Sequence, residues 1–297
     1  MFQHVRRVVA VAVAVAGVAF LAGAAPGRAA EIRNVGERTF PFAPGGEVFI
    51  ESQNGRIVVE AWDRSQIRVQ ITRTVRAGNG ARARELMKGL RADVELRPNQ
   101  LRIQSRYPRV RENLGIWDIL GGRVAALQVH YYLQVPRNTS FTLETSNGEV
   151  RVRGTRGDVK VVTVNGDLEF TGVNGSLEIQ TTNGEVRLTG IEGSAAAQTT
   201  NGGITAMFSS VPPRGVVDLG TTNGNVEVTV PKSLRALFEA TTTNGRVSIT
   251  GFEIKTRGPI TSKSVRGIIG GGGANVTLRT TNGNVDVTPT GTRRRKS

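Results

Sequence analysis

The 297-residue chain contains no cysteine. That excludes disulfides, thiol nucleophiles, cysteine-ligated zinc and lipid attachment at a leader cysteine. Beyond the first thirty residues it has one histidine, His130, so multi-histidine metal centres and metalloprotease motifs are excluded too. His130 stands beside Tyr131 in an alternating stretch and reads as a packed strand residue, not a general base. No nucleophile-elbow motif is present. Aromatics make up only 5% of the chain. The apolar positions are mostly Val, Ile and Leu, and glycine is abundant at 37 residues, which favours short strands and tight turns over helices. No catalytic residue, metal ligand or cofactor is expected.

Residues 1–29 have the layout of a secretory signal peptide. Arg6 and Arg7 precede an apolar run from Val8 to Ala25, and Gly27 and Ala29 suit cleavage after Ala29. An extracytoplasmic protein follows, in the periplasm, on the cell surface or secreted. The alternative is an uncleaved anchor, since the run is just long enough to span a bilayer; membrane contact is expected only in that case. The formal net charge is +15. Residues 31–140 carry 18 basic and 11 acidic side chains, and Arg293, Arg294, Arg295 and Lys296 end the chain. The body between these regions is nearly neutral. The basic ends suit an anionic cell-envelope polymer or surface glycan. Nucleic acid is not expected, because there is no recognition helix or aromatic-basic motif.

A T-x-N-G unit recurs. Its asparagines are Asn147, Asn165, Asn183 and Asn201 at 18-residue intervals, then Asn223, Asn244 and Asn282 after gaps of 22, 21 and 38. Two residues earlier stand Thr145, Thr163, Thr181, Thr199, Thr221, Thr242 and Thr280. Three and five residues after each Asn come apolar pairs such as Val150/Val152, Leu168/Phe170 and Val186/Leu188. A second set, Val159/Val161, Leu177/Ile179 and Ala195/Ala197, follows at twelve and fourteen. Each unit therefore holds two period-2 strands, with a second turn near Gly157, Gly175 and Gly193.

Identical residues at identical offsets form productive columns when units stack in parallel. The fold expected is all-β: a β-solenoid of about 18 residues per coil over residues 141–290. An antiparallel meander is the alternative, because Asn-Gly is also a hairpin signal. Parity places the Thr and Asn columns inside as ladders, each side chain bonding to its copy one coil away. The outward column Arg151, Glu169, Arg187 alternates in sign. The 38-residue gap fits two turns with one degenerate, its Gly-rich run (Gly267 and glycines 270–273) in a loop or a poorly formed coil.

Residues 30–140 read as a β-rich cap, which an open stack needs at its end. Alternation marks strands near 56–61, 66–75, 100–107 and 125–135, and residues 81–91 are the one plausible helix. Trp62, Trp117, Tyr107, Tyr131 and Tyr132 all fall here, and core packing explains them better than a sugar platform. One related unit, Ser52-Gln53-Asn54-Gly55-Arg56-Ile57-Val58-Val59, stands apart from the others. Residues 291–297 form a basic tail.

The Thr-Thr-Asn-Gly-x-Val motifs at 181–186, 221–226 and 280–285, with Tyr-Tyr-Leu-Gln-Val-Pro at 131–136 and the late glycine run, resemble the bacterial putative-adhesin family. That family is described as β-strand repeat proteins with a domain of unknown function, and the resemblance spans about residues 45–290. It implies a surface adhesion role and supplies no catalytic residue. The reading that follows is an exported, non-enzymatic structural or adhesion-type binding protein of the bacterial cell envelope. A polysaccharide-binding or -cleaving solenoid is the alternative, for which Glu149, Asp167 and Glu185 are the candidate acids. The outward column Thr182, Thr200, Thr222, Thr243, Thr281 is a further surface; an ice-binding face there lacks a regular neighbouring column.

Overall fold

The computed structural model describes residues 30–108, 126–256 and 261–291. The elements begin with β1 (Ala30–Pro41), β2 (Gly46–Glu51), β3 (Ile57–Trp62), β4 (Gln66–Ala77) and α1 (Gly80–Gly89). Then come β5 (Arg91–Arg97), β6 (Gln100–Arg106), β7 (Ala126–Pro136), β8 (Thr139–Glu144) and β9 (Val150–Arg153). The middle holds β10 (Val159–Val162), β11 (Leu168–Thr171), β12 (Asn174–Gln180), β13 (Val186–Asn201) and β14 (Ile204–Ser210). After these come β15 (Val216–Asn223), β16 (Val226–Val230), β17 (Ala236–Asn244) and β18 (Val247–Ile249). The last are β19 (Ile254–Thr256), β20 (Ser264–Ile269), β21 (Ala274–Asn282) and β22 (Val285–Pro289).

The strands wind as a β-solenoid. Leu168 lies between Val150 and Val186, all in parallel register, which rules out the meander. Each coil places one strand on a front face and one on a back face, joined at the Asn-Gly corner. β13 runs through the second corner and belongs to both faces. In a single coil Val159, Val161, Leu168 and Phe170 are each at most 1% exposed, between the faces. Burying each contributes about 1.5–3 kcal/mol towards holding the coil in the stack.

The spatial order of the coils is not their chain order. On the front face the strands run β5, β6, β2, β8, β10, β12, β13, β15, β21, β17, β20, β19. On the back face they run β1, β4, β7, β3, β9, β11, β13, β14, β16, β22, β18. The coil of β2 and β3 thus sits between that of β6 and β7 and that of β8 and β9. The coil of β21 and β22 sits between β15/β16 and β17/β18.

Two expectations are corrected by this order. The region before residue 140 is more than a cap: it supplies two coils in register with the repeats, and the lone unit at 52–59 is one of them. Only β1, β4, β5 and α1 lie beyond them. Among the described residues the 38-residue gap contains no degenerate coil, and Gly267 lies within β20. Its β19 and β20 turn antiparallel and close the front face against β17, and glycines 270–273 carry the turn into β21.

α1 begins at Asn79, whose side chain accepts the N–H of Arg82 at 2.8 Å, an N-cap bond. It buries Ala83 and Leu86 and packs on β1 and β4. None of the described helices is long and apolar enough to cross a membrane. The leader at 1–29, Trp117 and the tail Arg293–Lys296 lie outside the described residues.

Candidate functional site: a polar ridge along the Asn-Gly corner

The asparagines form one continuous ladder. Each Nδ2 donates to the Oδ1 of its neighbour at 2.7–2.8 Å, in the order Asn244, Asn282, Asn223, Asn201, Asn183, Asn165, Asn147, Asn54. All the donations point towards the N-terminal end. There the Tyr107 hydroxyl donates to the backbone carbonyl of Asn54 and accepts its backbone N–H, both at 3.0 Å.

The ladder is not internal as parity suggested. Most of its side chains are exposed, and it runs along the outside of the corner. The reason is the glycine that follows. At Gly184 φ is +152°, and a Cβ there would lie 2.1 Å from the Gly166 carbonyl oxygen of the adjacent coil. The backbone therefore turns tightly against its neighbour and throws the preceding side chain outward.

The threonines two residues earlier are interior, at 4–8% exposure, but they do not bond to one another. Thr221, Thr242 and Thr280 each donate at 2.8 Å to a corner glycine carbonyl one coil away (Gly202, Gly283 and Gly224), and Thr199 reaches Gly184 at 3.4 Å. The hydroxyls of Thr145, Thr163 and Thr181 find no partner among the described residues.

Two residues after the Asn, side chains substitute for missing backbone partners. Asp167 Oδ1 accepts the Glu185 N–H at 2.9 Å, and Asn225 and Asn284 act likewise. His130 holds this position at the N-terminal end, its Nδ1 accepting the Arg56 N–H at 3.0 Å. Burial, with the charges of Arg56 and Arg33, pushes its pKa below the ordinary value and favours the neutral form that this bond needs. This backbone role was not visible in the sequence, because it depends on Arg56 lying next in space across 74 residues.

The candidate acids are tied into the same scaffold. Glu149 pairs with Arg56 at 2.8 Å and with Arg151. Glu185 pairs with Arg187 at 3.2 Å, while Glu169 contacts Arg151 and Arg153. The sign-alternating column is thus joined only in part, since Arg187 turns along its own strand. No group of three His, Cys, Asp or Glu among the described residues is placed to hold a metal.

Outside the ladder runs a hydroxyl column, exposed throughout and in the spatial order Thr182, Thr200, Thr222, Thr281, Thr243. Beside it on the front face stand Gln180, Gln198, Gly220, Arg279 and Thr241, with no single chemistry. The ridge therefore consists of one carboxamide row and one hydroxyl row, spaced about 4.8 Å per coil.

The parallel coils with a Thr-x-Asn-Gly corner match the model of the Toastrack DUF4097 family over residues 134–288. The chain belongs to that family. Toastrack is a β-solenoid-like repeat fold, as seen here. No curated protein matches the sequence significantly. Among solved structures, the chain is similar to one described as a putative adhesin from Bacteroides fragilis, at 10% identity and TM-score 0.42, covering 86% of this chain and 97% of that one. Another putative adhesin, from Parabacteroides distasonis, gives 10% identity and TM-score 0.37 with the same coverage. A putative cell adhesion protein from Clostridium sporogenes gives 11% and 0.32, covering 86% of this chain and all of the other.

Proposed function

We propose that this Toastrack protein is an exported, non-enzymatic binding scaffold of the cell envelope, and that its ridge grips a hydroxyl-rich polymer such as a surface glycan. The observation that carries this is the exposed ladder. Each asparagine between the two ends of the row, Asn183 for example, uses one N–H and one lone pair within the ladder and keeps one N–H and lone-pair capacity for a ligand. Adjacent threonine hydroxyls repeat at the same spacing, and the whole row is held by the coils beneath it. A rigid array loses little conformational freedom when a linear partner lies along it.

Export rests on the leader pattern at 1–29, and attraction to an anionic polymer on the basic ends, including Arg293–Lys296. The test is retention on immobilised envelope polysaccharide. The triple variant Thr182→Val, Thr200→Val, Thr222→Val should lose about tenfold in affinity, as expected when several modest hydrogen bonds are removed, with an unchanged melting curve. Equal retention of the variant would overturn the ridge reading. Protease added to intact cells tests the location separately.

A further inference from the structure

The described residues close the N-terminal end of the stack only in part. α1 covers one side, and beside its C-terminal end a cleft of about 570 Å3 opens between β1 and β4 on one wall and β5 on the other. Phe40, Val69, Ile71, Ala92 and Val94 give it an apolar lining. Clefts of about 300–1,000 Å3 with such walls and a few fixed polar groups are the usual form of small-molecule sites.

The charges in this cleft are unbalanced. Glu37 is taken by Arg68 at 2.8 Å and Asp93 by Arg106 at 2.5 Å. Arg73 is half-buried and donates only to neutral acceptors, the Leu90 carbonyl at 2.8 Å and Asn34 Oδ1 at 2.6 Å. Among the described residues no carboxylate pairs with Arg73 or with Arg91 at the rim. Burial and the neighbouring Arg91 charge both lower the pKa of Arg73. A guanidinium has five N–H donors in a planar fork suited to a carboxylate, and a half-buried cation without a counter-ion is costly.

We propose that the cleft binds a long-chain fatty acid, its carboxylate on Arg73 and Arg91 and its acyl chain along Phe40, Ile71 and Val94. This site is separate from the ridge and independent of it.

Calorimetric titration of the purified protein with sodium dodecanoate, below micelle formation, tests it. Saturable one-to-one binding is expected, with 1-dodecanol at least about tenfold weaker and acetate silent, since a charge-assisted bond is worth about that factor. Arg73→Met should weaken dodecanoate by about tenfold and leave dodecanol unchanged, a split that a purely structural arginine would not produce. Gly36→Phe, at a site on the cleft-lining stretch of β1 without a positive φ, should block both. Circular dichroism checks that both variants fold. Equal affinity for dodecanoate and dodecanol, undiminished binding in Gly36→Phe, or no saturable heat would overturn the proposal.

Discussion

Asn282 donates to Asn223 at 2.8 Å across 59 residues of chain, and Asn244 donates in turn to Asn282. The C-terminal coil has slipped between two coils formed earlier in the sequence. Closing a 59-residue loop costs only about 1 kcal/mol more than closing an 18-residue one. Burying Val276, Leu278, Val285 and Val287, each at most 2% exposed, returns about 1.5–3 kcal/mol apiece. Packing therefore overrides chain order easily.

That arrangement makes the last coil a latch. Truncation after Gly273 removes β21 from between β15 and β17 and β22 from between β16 and β18, and β18 pairs with β22 alone. Strands β17 to β20 should lose hydrogen-exchange protection while residues 139–210 keep it. Retained protection over 236–249 would mean that β17 can dock directly on β15.

The corner glycines should be unequal in tolerance. Gly184→Ala sets a Cβ 2.1 Å from a backbone oxygen as well as straining φ, and should cost more than about 3 kcal/mol or prevent folding. Gly190→Ala, with φ +66° and nothing nearer than 3.8 Å, should cost about 1–2 kcal/mol. Urea denaturation of the two variants gives the comparison.

Breaking the ladder at its middle should be measurable but mild. Asn183→Ala deletes two carboxamide bonds in an exposed row, so a loss of about 1–2 kcal/mol is expected. A loss above about 3 kcal/mol in the same denaturation assay would indicate that the ladder holds the stack on its own.

Acid should weaken the N-terminal end through His130. Its folded pKa lies below the ordinary value, so the unfolded chain binds the extra proton first. Stability is full above about pH 6.5 and falls as pH drops from there towards the lowered folded value. His130→Asn removes the titrating ring and offers an acceptor oxygen. Its melting temperature should vary less than that of the parent between about pH 5 and 6.5; identical profiles would remove His130 from this role.

Much of the molecule was legible from residue spacing. Leu168 and Phe170 had to face the same way as Val186 and Leu188, because period-2 alternation has only two solutions and one buries the apolar set. What spacing could not give was the side of Asn183. A glycine corner resets the alternation, and the close approach of Gly184 to Gly166 decides which way the preceding side chain points. The cleft at Arg73 was equally hidden, since one wall is the β1–β4 pair and the other is β5, which pairs with β6, and only the tertiary structure brings the two together.

The sequence by itself determined the coil: two short strands, an Asn-Gly corner and parallel columns, fixed by local geometry and hydrophobic alternation. Only the tertiary structure decided which coil neighbours which. Every unit offers nearly the same strand edges and apolar columns, so local chemistry accepts several orders. The choice falls to long-range closure, where the Asn54 and Asn282 coils each gain neighbours on both sides instead of an open end.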